Sequence, residues 1–300
     1  MQNCPPPYRP FRGAEPPHFV ERADDDNLGA QGLAAAAVAA WARGPADPRF
    51  HRLVVSAPAM GKSALLRALG RQAAKQLGWA VALHRCQPKE RALGGVTAEL
   101  LASVQHFWAA DAAAIASAVL AARVNPACLS SPGAEPSWDE LRQLLVLVGC
   151  FARRRSRGLL VAFDDADRLS GGEVEAIGHL ARGLARDGLP VSVVLSGSPQ
   201  LAERYRRAGN FSGVVWPTHL DCFDEAEARE ALVVPANDRG VDLDEQALEL
   251  LCAVAGGSPL EVQRLGFAAW SAARGAEVIS VAHAEQAIDL VAPELAAKAS

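Results

Sequence analysis

One octapeptide restricts the fold more than any other part of the chain: Ser56-Ala57-Pro58-Ala59-Met60-Gly61-Lys62-Ser63. It joins the short apolar run Arg52–Ser56 to the stretch Ala64–Leu77, whose Leu65, Leu66 and Leu69 share one helical face. That order predicts strand, loop, helix. The loop meets the pattern G-x-x-x-x-G-K-[ST] at every fixed position except the first, where Ser56 replaces glycine. In such a loop the backbone N–H groups and the N-terminal dipole of the next helix form a cradle for phosphates. Lys62 would set a compact ammonium against the β- and γ-phosphates, and Ser63 would give a hydroxyl oxygen to magnesium. Residues 56–64, from Ser56 through Ala57, Pro58, Ala59, Met60 and Gly61 to Ala64, are the expected nucleotide contacts.

The lysine itself carries information. Of 30 basic residues only Lys62, Lys75, Lys89 and Lys298 are lysine, and the planar fork of arginine does not fit the cradle. A chain of this composition yields about 0.02 Gly-Lys-Ser/Thr tripeptides by chance. Ser56 and Ala59 are the weak points, because each adds a Cβ where the backbone is expected at positive φ or close to phosphate.

A second apolar strand, Leu159–Phe163, ends in Asp164 and Asp165. Carboxylates at the end of a buried strand arrive at the C-terminal sheet edge, where ligands of such folds bind. Asp164 is expected to hold magnesium through water, and Asp165 to orient or deprotonate an attacking water.

The remaining pattern supplies the frame. Strands are expected at 79–84 and 191–196, and helices at 28–41, about 90–107, 111–123 and 138–155, with a breaker-rich stretch at 125–137. Ser170 with Glu173 three residues on is a capping box that opens a further helix. Alternating strands and helices predict an α/β fold, a parallel sheet with helices on both faces. From Phe223 only helical periods appear, at roughly 224–234, 244–255, 259–273 and 281–290. The expected division is therefore an irregular Pro-rich lead-in (1–27), an α/β nucleotide-binding domain (28–220) and a small all-helical lid domain (221–300).

Composition removes other classes. No apolar run reaches the 18 residues of a membrane helix, and the start has no apolar signal core. The six cysteines include no Cys-x-x-Cys pair, which predicts reduced thiols and a cytoplasmic setting, with no zinc site of familiar spacing. A net charge of −4 gives no general field for nucleic acid, and a nucleic-acid partner is not indicated. The run Arg153–Arg157 reads as a solvated helix end, and His84, His106, His179, His219 and His283 show no ligand spacing.

With these motifs in place, the chain resembles the AAA+ ATPases, closest to bacterial ATP-binding proteins related to the origin-initiator and signal-transduction branches. Phe19-Val20-Glu21-Arg22 is similar to the family's Phe-Val-Gly-Arg box near the adenine, which implies nucleotide contacts for Val20 and Arg22. Val193–Pro199 resembles the fourth strand and its polar sensor, which implies a sensor role for Ser196 or Ser198. Gly256-Gly257-Ser258-Pro259 resembles the lid signature. The resemblance implies ATP and Mg2+ as ligands, a homo-oligomer or an unidentified protein partner, and an arginine acting in trans among Arg204, Arg206 and Arg207.

Three departures stand out. Asp165 replaces the usual glutamate, the sensor is serine, and the lid position of a γ-phosphate arginine is Leu260, with Arg264 one turn on. The absence of a winged-helix segment after the last helix argues against replication initiation. The expected activity is slow Mg-dependent ATP hydrolysis coupled to a lid switch. A non-hydrolysing ATP-binding scaffold and a small-molecule kinase are the alternatives, separated from it by phosphate release without an acceptor.

Overall fold

The computed structural model describes residues 6–10, 16, 18–22, 32–87, 92–109, 113, 115, 117, 137–209 and 214–299. Most of the expected helix at 111–123 and of the breaker-rich stretch lies outside them. The chain forms two compact units, one of residues 24–56 and 65–219 and one of residues 1–23, 57–64 and 220–300.

The first is the sheet unit. Its strands are β1 (His51–Val55), β2 (Ala80–Arg85), β3 (Leu159–Asp164), β4 (Val191–Gly197) and β5 (Val215–His219), in the order β2-β3-β4-β1-β5 and all parallel. Helices α1 (Leu33–Arg43), α2 (Lys62–Leu77, from its second turn), α3 (Ala92–Phe107), α4 (Trp138–Arg154), α5 (Gly171–Arg186) and α6 (Pro199–Arg207) flank it on both sides. Every residue of β1, β3 and β4 is buried, as expected of parallel strands covered on two faces. On one face of the sheet Leu53, Val161, Phe163, Val193 and Leu195 join Leu100, Leu144, Val148, Ile177 and Trp108 in one core. The Ser170–Glu173 capping box is present at the start of α5, and a second, Ser137–Glu140, starts α4.

The sheet has one more strand than the sequence pattern predicts. In β5, Val-Trp-Pro-Thr-His, Pro217 interrupts the β signal. The strand lies at the edge beside β1, where a proline needs no ladder partner on its outer side. Register places Ser196 beside Val54 and Asp164 beside Arg85, so the C-terminal ends of β1, β3 and β4 share one edge.

The second is the helical unit: α7 (Glu225–Asn237), α8 (Glu245–Ala255), α9 (Pro259–Ala273) and α10 (Val281–Ala299). It is not wholly helical, because β6 (Asp242–Leu243) and β7 (Val278–Ile279) pair as a short parallel ladder. Residues 6–10 and 18–22 belong to this unit. Tyr8 is buried and donates its hydroxyl to the Leu232 carbonyl at 2.6 Å, and the Arg9 N–H donates to Gln263 Oε1 at 3.1 Å. Among the described residues, no helix is long and apolar enough to cross a membrane.

Candidate functional site

The phosphate loop leaves the sheet edge at Ser56 and continues as residues 57–64 of the helical unit. Ala59 sits at φ 71° and Gly61 at φ 86°, with Met60 between them at negative φ. Alternation of that kind turns successive N–H groups toward one side, the geometry of an anion nest. Gly61 has two reasons to be glycine: its φ, and a Cβ that would come within 3.1 Å of Arg22 Nη2. Of the two expected points of strain, only Ala59 is real, at about 1–2 kcal/mol for a left-handed alanine. Ser56 keeps negative φ, is buried, and donates its N–H to the Gly197 carbonyl at 3.2 Å.

Lys62 and Ser63 open α2, where the first N–H groups have no intrahelical acceptor. The Lys62 Nζ donates to the Ala57 carbonyl at 2.8 Å, which lays the ammonium across its own loop. The nest, the lysine over it and the helix start suit a polyphosphate. Arg22 braces the same loop: its Nη2 donates to the Met60 carbonyl at 2.7 Å and its Nη1 to the Asp221 carbonyl at 3.0 Å. Val20 is packed in the core of the helical unit. In the lid signature, Gly257 has φ 73°, and a Cβ there would meet the Phe223 carbonyl oxygen at 2.6 Å. The Arg264 guanidinium lies 3.4 Å from Glu261.

In the sheet unit, β3 delivers Asp164 to the shared edge, 2% exposed. Its Oδ1 accepts the Ser196 hydroxyl at 2.6 Å and the Asp165 N–H at 3.1 Å. Of the two candidate sensor serines, Ser196 is therefore the one on the carboxylate; the Ser198 hydroxyl donates instead to Asp167 Oδ1 at 2.6 Å. Among the described residues no group of three or more His, Cys, Asp or Glu side chains forms a metal cluster. Asp164, a single buried carboxylate, is a hard oxygen donor of the type that magnesium accepts. Behind Asp164, the Cys86 thiol is pushed up to about 12, chiefly by burial and then by the charges of Asp164, Glu173 and Asp165, and stays protonated.

Asp165 adopts a left-handed backbone, φ 54° and ψ 39°, a conformation that aspartate tolerates better than most residues. Its Oδ2 accepts from Arg85 Nε at 3.0 Å. Sequence reasoning missed Arg85, whose pairing follows only from the β2–β3 register. It also missed Asp167, which ties the turn after β3 to the start of α6.

The three candidate trans arginines differ. Arg204 donates to the carbonyls of Asp167, at 3.0 Å, and Leu169, so it staples that same turn. Arg206 and Arg207 pair with Glu203 at 2.7 and 2.8 Å on the exposed face of α6.

A family model described as the AAA ATPase domain matches residues 36–194. Among solved structures, the chain is similar to a Walker-type ATPase of Pyrococcus abyssi, with 18% identity and a TM-score of 0.57 over 83% of this chain and 69% of that one. It is also similar to the Aeropyrum pernix ORC2 protein in ADPNP–ADP complexes, with 17% identity and a TM-score of 0.56 over 86% and 65%. The A. pernix ORC1 protein in complex with DNA follows, with 21% identity and a TM-score of 0.54 over 86% and 63%. The chain thus spans about two thirds of the length of these structures. No curated protein matches it. At such identities the structures speak for the fold, and it is the family model, running over more than half of the 300 residues from α1 through the phosphate loop into β4, that makes the chain a member of the AAA+ ATPases.

Proposed function

We propose that the chain binds Mg-ATP and hydrolyses it slowly, as a nucleotide-driven switch acting on a macromolecular partner in the cytoplasm. The observation that carries this reading is the nest at residues 59–61 running directly into Lys62 and Ser63 at a helix start. In this reading the loop N–H groups and the Lys62 ammonium neutralise the β- and γ-phosphates of the substrate. Magnesium, held by Ser63 Oγ and through water by Asp164, would add positive charge on the phosphate oxygens. Ser196 keeps Asp164 in one orientation by its hydrogen bond. Asp165 aligns the attacking water and accepts its proton. The helical unit is the part that answers to the nucleotide state.

A departing γ-phosphate needs a further cation, and an arginine supplied in trans contributes about 10³–10⁵ in rate. Arg206 and Arg207, 63% and 75% exposed, have the reach for a neighbouring copy, whereas Arg204 is committed to its own turn. Self-assembly or an activating partner is therefore part of the proposal, and basal activity is expected to be low.

A second reading, ATP binding without hydrolysis, is favoured by one observation: Asp165 is engaged by Arg85. Phosphate release from ATP with no added acceptor separates the two. Wild type should release phosphate in magnesium and stop in excess chelator. Asp165→Asn should lose turnover and keep its ATP affinity. Parental turnover in Asp165→Asn removes the assigned role, and no release at any protein concentration leaves the non-hydrolysing switch.

A further inference from the structure

Arg22 is fixed by three contacts inside the helical unit. Besides the carbonyls of Met60 and Asp221, its guanidinium carbon lies 4.6 Å from the centroid of the Phe223 ring. Burial pulls its pKa below the usual arginine value, while the charges of Glu227, Cys222 and Asp221 push the other way. A guanidinium nevertheless stays charged at any pH where a protein is folded. It is also the one side chain whose planar fork serves two carbonyls and stacks on a ring at once.

The consequence lies in the peptide it grips. The Met60 carbonyl and the Gly61 N–H belong to one planar trans peptide and point in opposite directions. A guanidinium bonded to that carbonyl therefore turns the Gly61 N–H away from itself. Glycine at 61 is what lets the guanidinium come so close, given the 3.1 Å approach that a Cβ would suffer. The other two contacts, Asp221 and Phe223, are among the first residues after β5, at the entry to α7. Phe223 is itself held by its N–H, which donates to the Gly257 carbonyl at 2.8 Å.

We propose that Arg22 is a positioning residue that presents the Gly61 N–H to the phosphates and locks that orientation to the Asp221–Phe223 segment. The proposal rests on the reading that this loop takes a nucleotide polyphosphate. It gives Arg22 a role through the loop backbone, distinct from the adenine contact that its sequence box implies. Because coupling is reciprocal, a nucleotide that orders the loop also orders Asp221–Phe223, and loosening Phe223 weakens nucleotide binding.

Two measurements on the full chain test it. The first is hydrogen exchange without nucleotide, followed in peptides covering 57–64 and 220–224, for wild type, Arg22→Ala and Arg22→Lys. Arg22→Ala should speed exchange in both segments together, while the peptides of β3 and β4 stay as protected as in wild type. Arg22→Lys should lie between the two. Unchanged exchange in either segment overturns the clamp, and faster exchange throughout the chain shows general unfolding and overturns it too.

The second is calorimetric titration with Mg-ATP of wild type, Arg22→Ala, Phe223→Leu and the double variant. Arg22→Ala should weaken binding about tenfold, 1.4 kcal/mol. The double variant should lose less than the sum of the single losses, because both break one link. Additive losses, or an Arg22→Ala curve equal to wild type, overturn the positioning role alone. A wild type that fails to bind Mg-ATP removes the underlying nucleotide reading, and with it the proposal, in the first titration.

Discussion

Removing the guanidinium at Arg85 should release Asp165 and raise turnover. The pair is a single contact, Arg85 Nε to Asp165 Oδ2 at 3.0 Å, with side chains 51% and 31% exposed. At that exposure solvent screens most of the attraction, and such pairs contribute about 0.2–1 kcal/mol. If Asp165 must leave Arg85 to reach a water, the same energy opposes each turnover. Arg85→Ala should then increase the rate of phosphate release by up to about fivefold, with ATP affinity unchanged. Salt provides an internal check, since screening weakens an exposed pair. Raising ionic strength should bring wild type toward the variant and leave the variant's rate flat. A steady-state phosphate-release assay at saturating Mg-ATP reads both. If Arg85→Ala turns over more slowly than wild type while binding ATP normally, Arg85 holds Asp165 in its working position, and the reasoning is wrong.

Two further outcomes follow from buried polar groups. Ser196→Ala strips the buried Asp164 Oδ1 of its 2.6 Å hydroxyl donor and should cost about 1–3 kcal/mol of stability, read from urea midpoints, with Ser196→Thr restoring most of it. Burial lowers the His51 pKa from 6.5 to about 4. The unfolded chain therefore takes up this proton first as the pH falls. The contribution is complete above pH 6.5, declines between 6.5 and 4, and amounts to about 2 kcal/mol lost by pH 5. His51→Gln, which keeps an acceptor for the Val193 N–H, should show a smaller fall in urea midpoint between pH 7.5 and 5 than wild type.

What could be read from the sequence was whatever is local in the chain. Strand, loop and helix around Gly61-Lys62-Ser63 are contiguous, and so are the apolar run and carboxylates of 159–165, so the local structure of both proposed segments was legible. The Ser170–Glu173 cap was legible for the same reason. What escaped depends on register or on long-range contact. Arg85 meets Asp165 only because β2 and β3 pair side by side, 80 residues apart in sequence. Arg22 reaches Met60 and Asp221 across separations of 38 and 199 residues, which no periodicity signals. β5 was hidden by Pro217, and β6 and β7 are two residues each, below the length at which alternation can be seen. The choice between Ser196 and Ser198 also waited for the fold: two residues apart, they would share one face of a continuing strand, but β4 ends at Gly197 and Ser198 turns to Asp167 instead of Asp164.

Every role assigned to nucleotide depends on the phosphate loop, and one titration probes that loop. Mg-ATP binding to wild type and Lys62→Ala, measured side by side by calorimetry, isolates the ammonium that the loop contributes. The variant keeps Gly61 and the helix start and loses the ammonium, together with its 2.8 Å bond to the Ala57 carbonyl. Affinity should fall at least tenfold, about 1.4 kcal/mol. Superimposable curves for the two proteins, or no binding by either, would contradict the assignment of this loop as the nucleotide site.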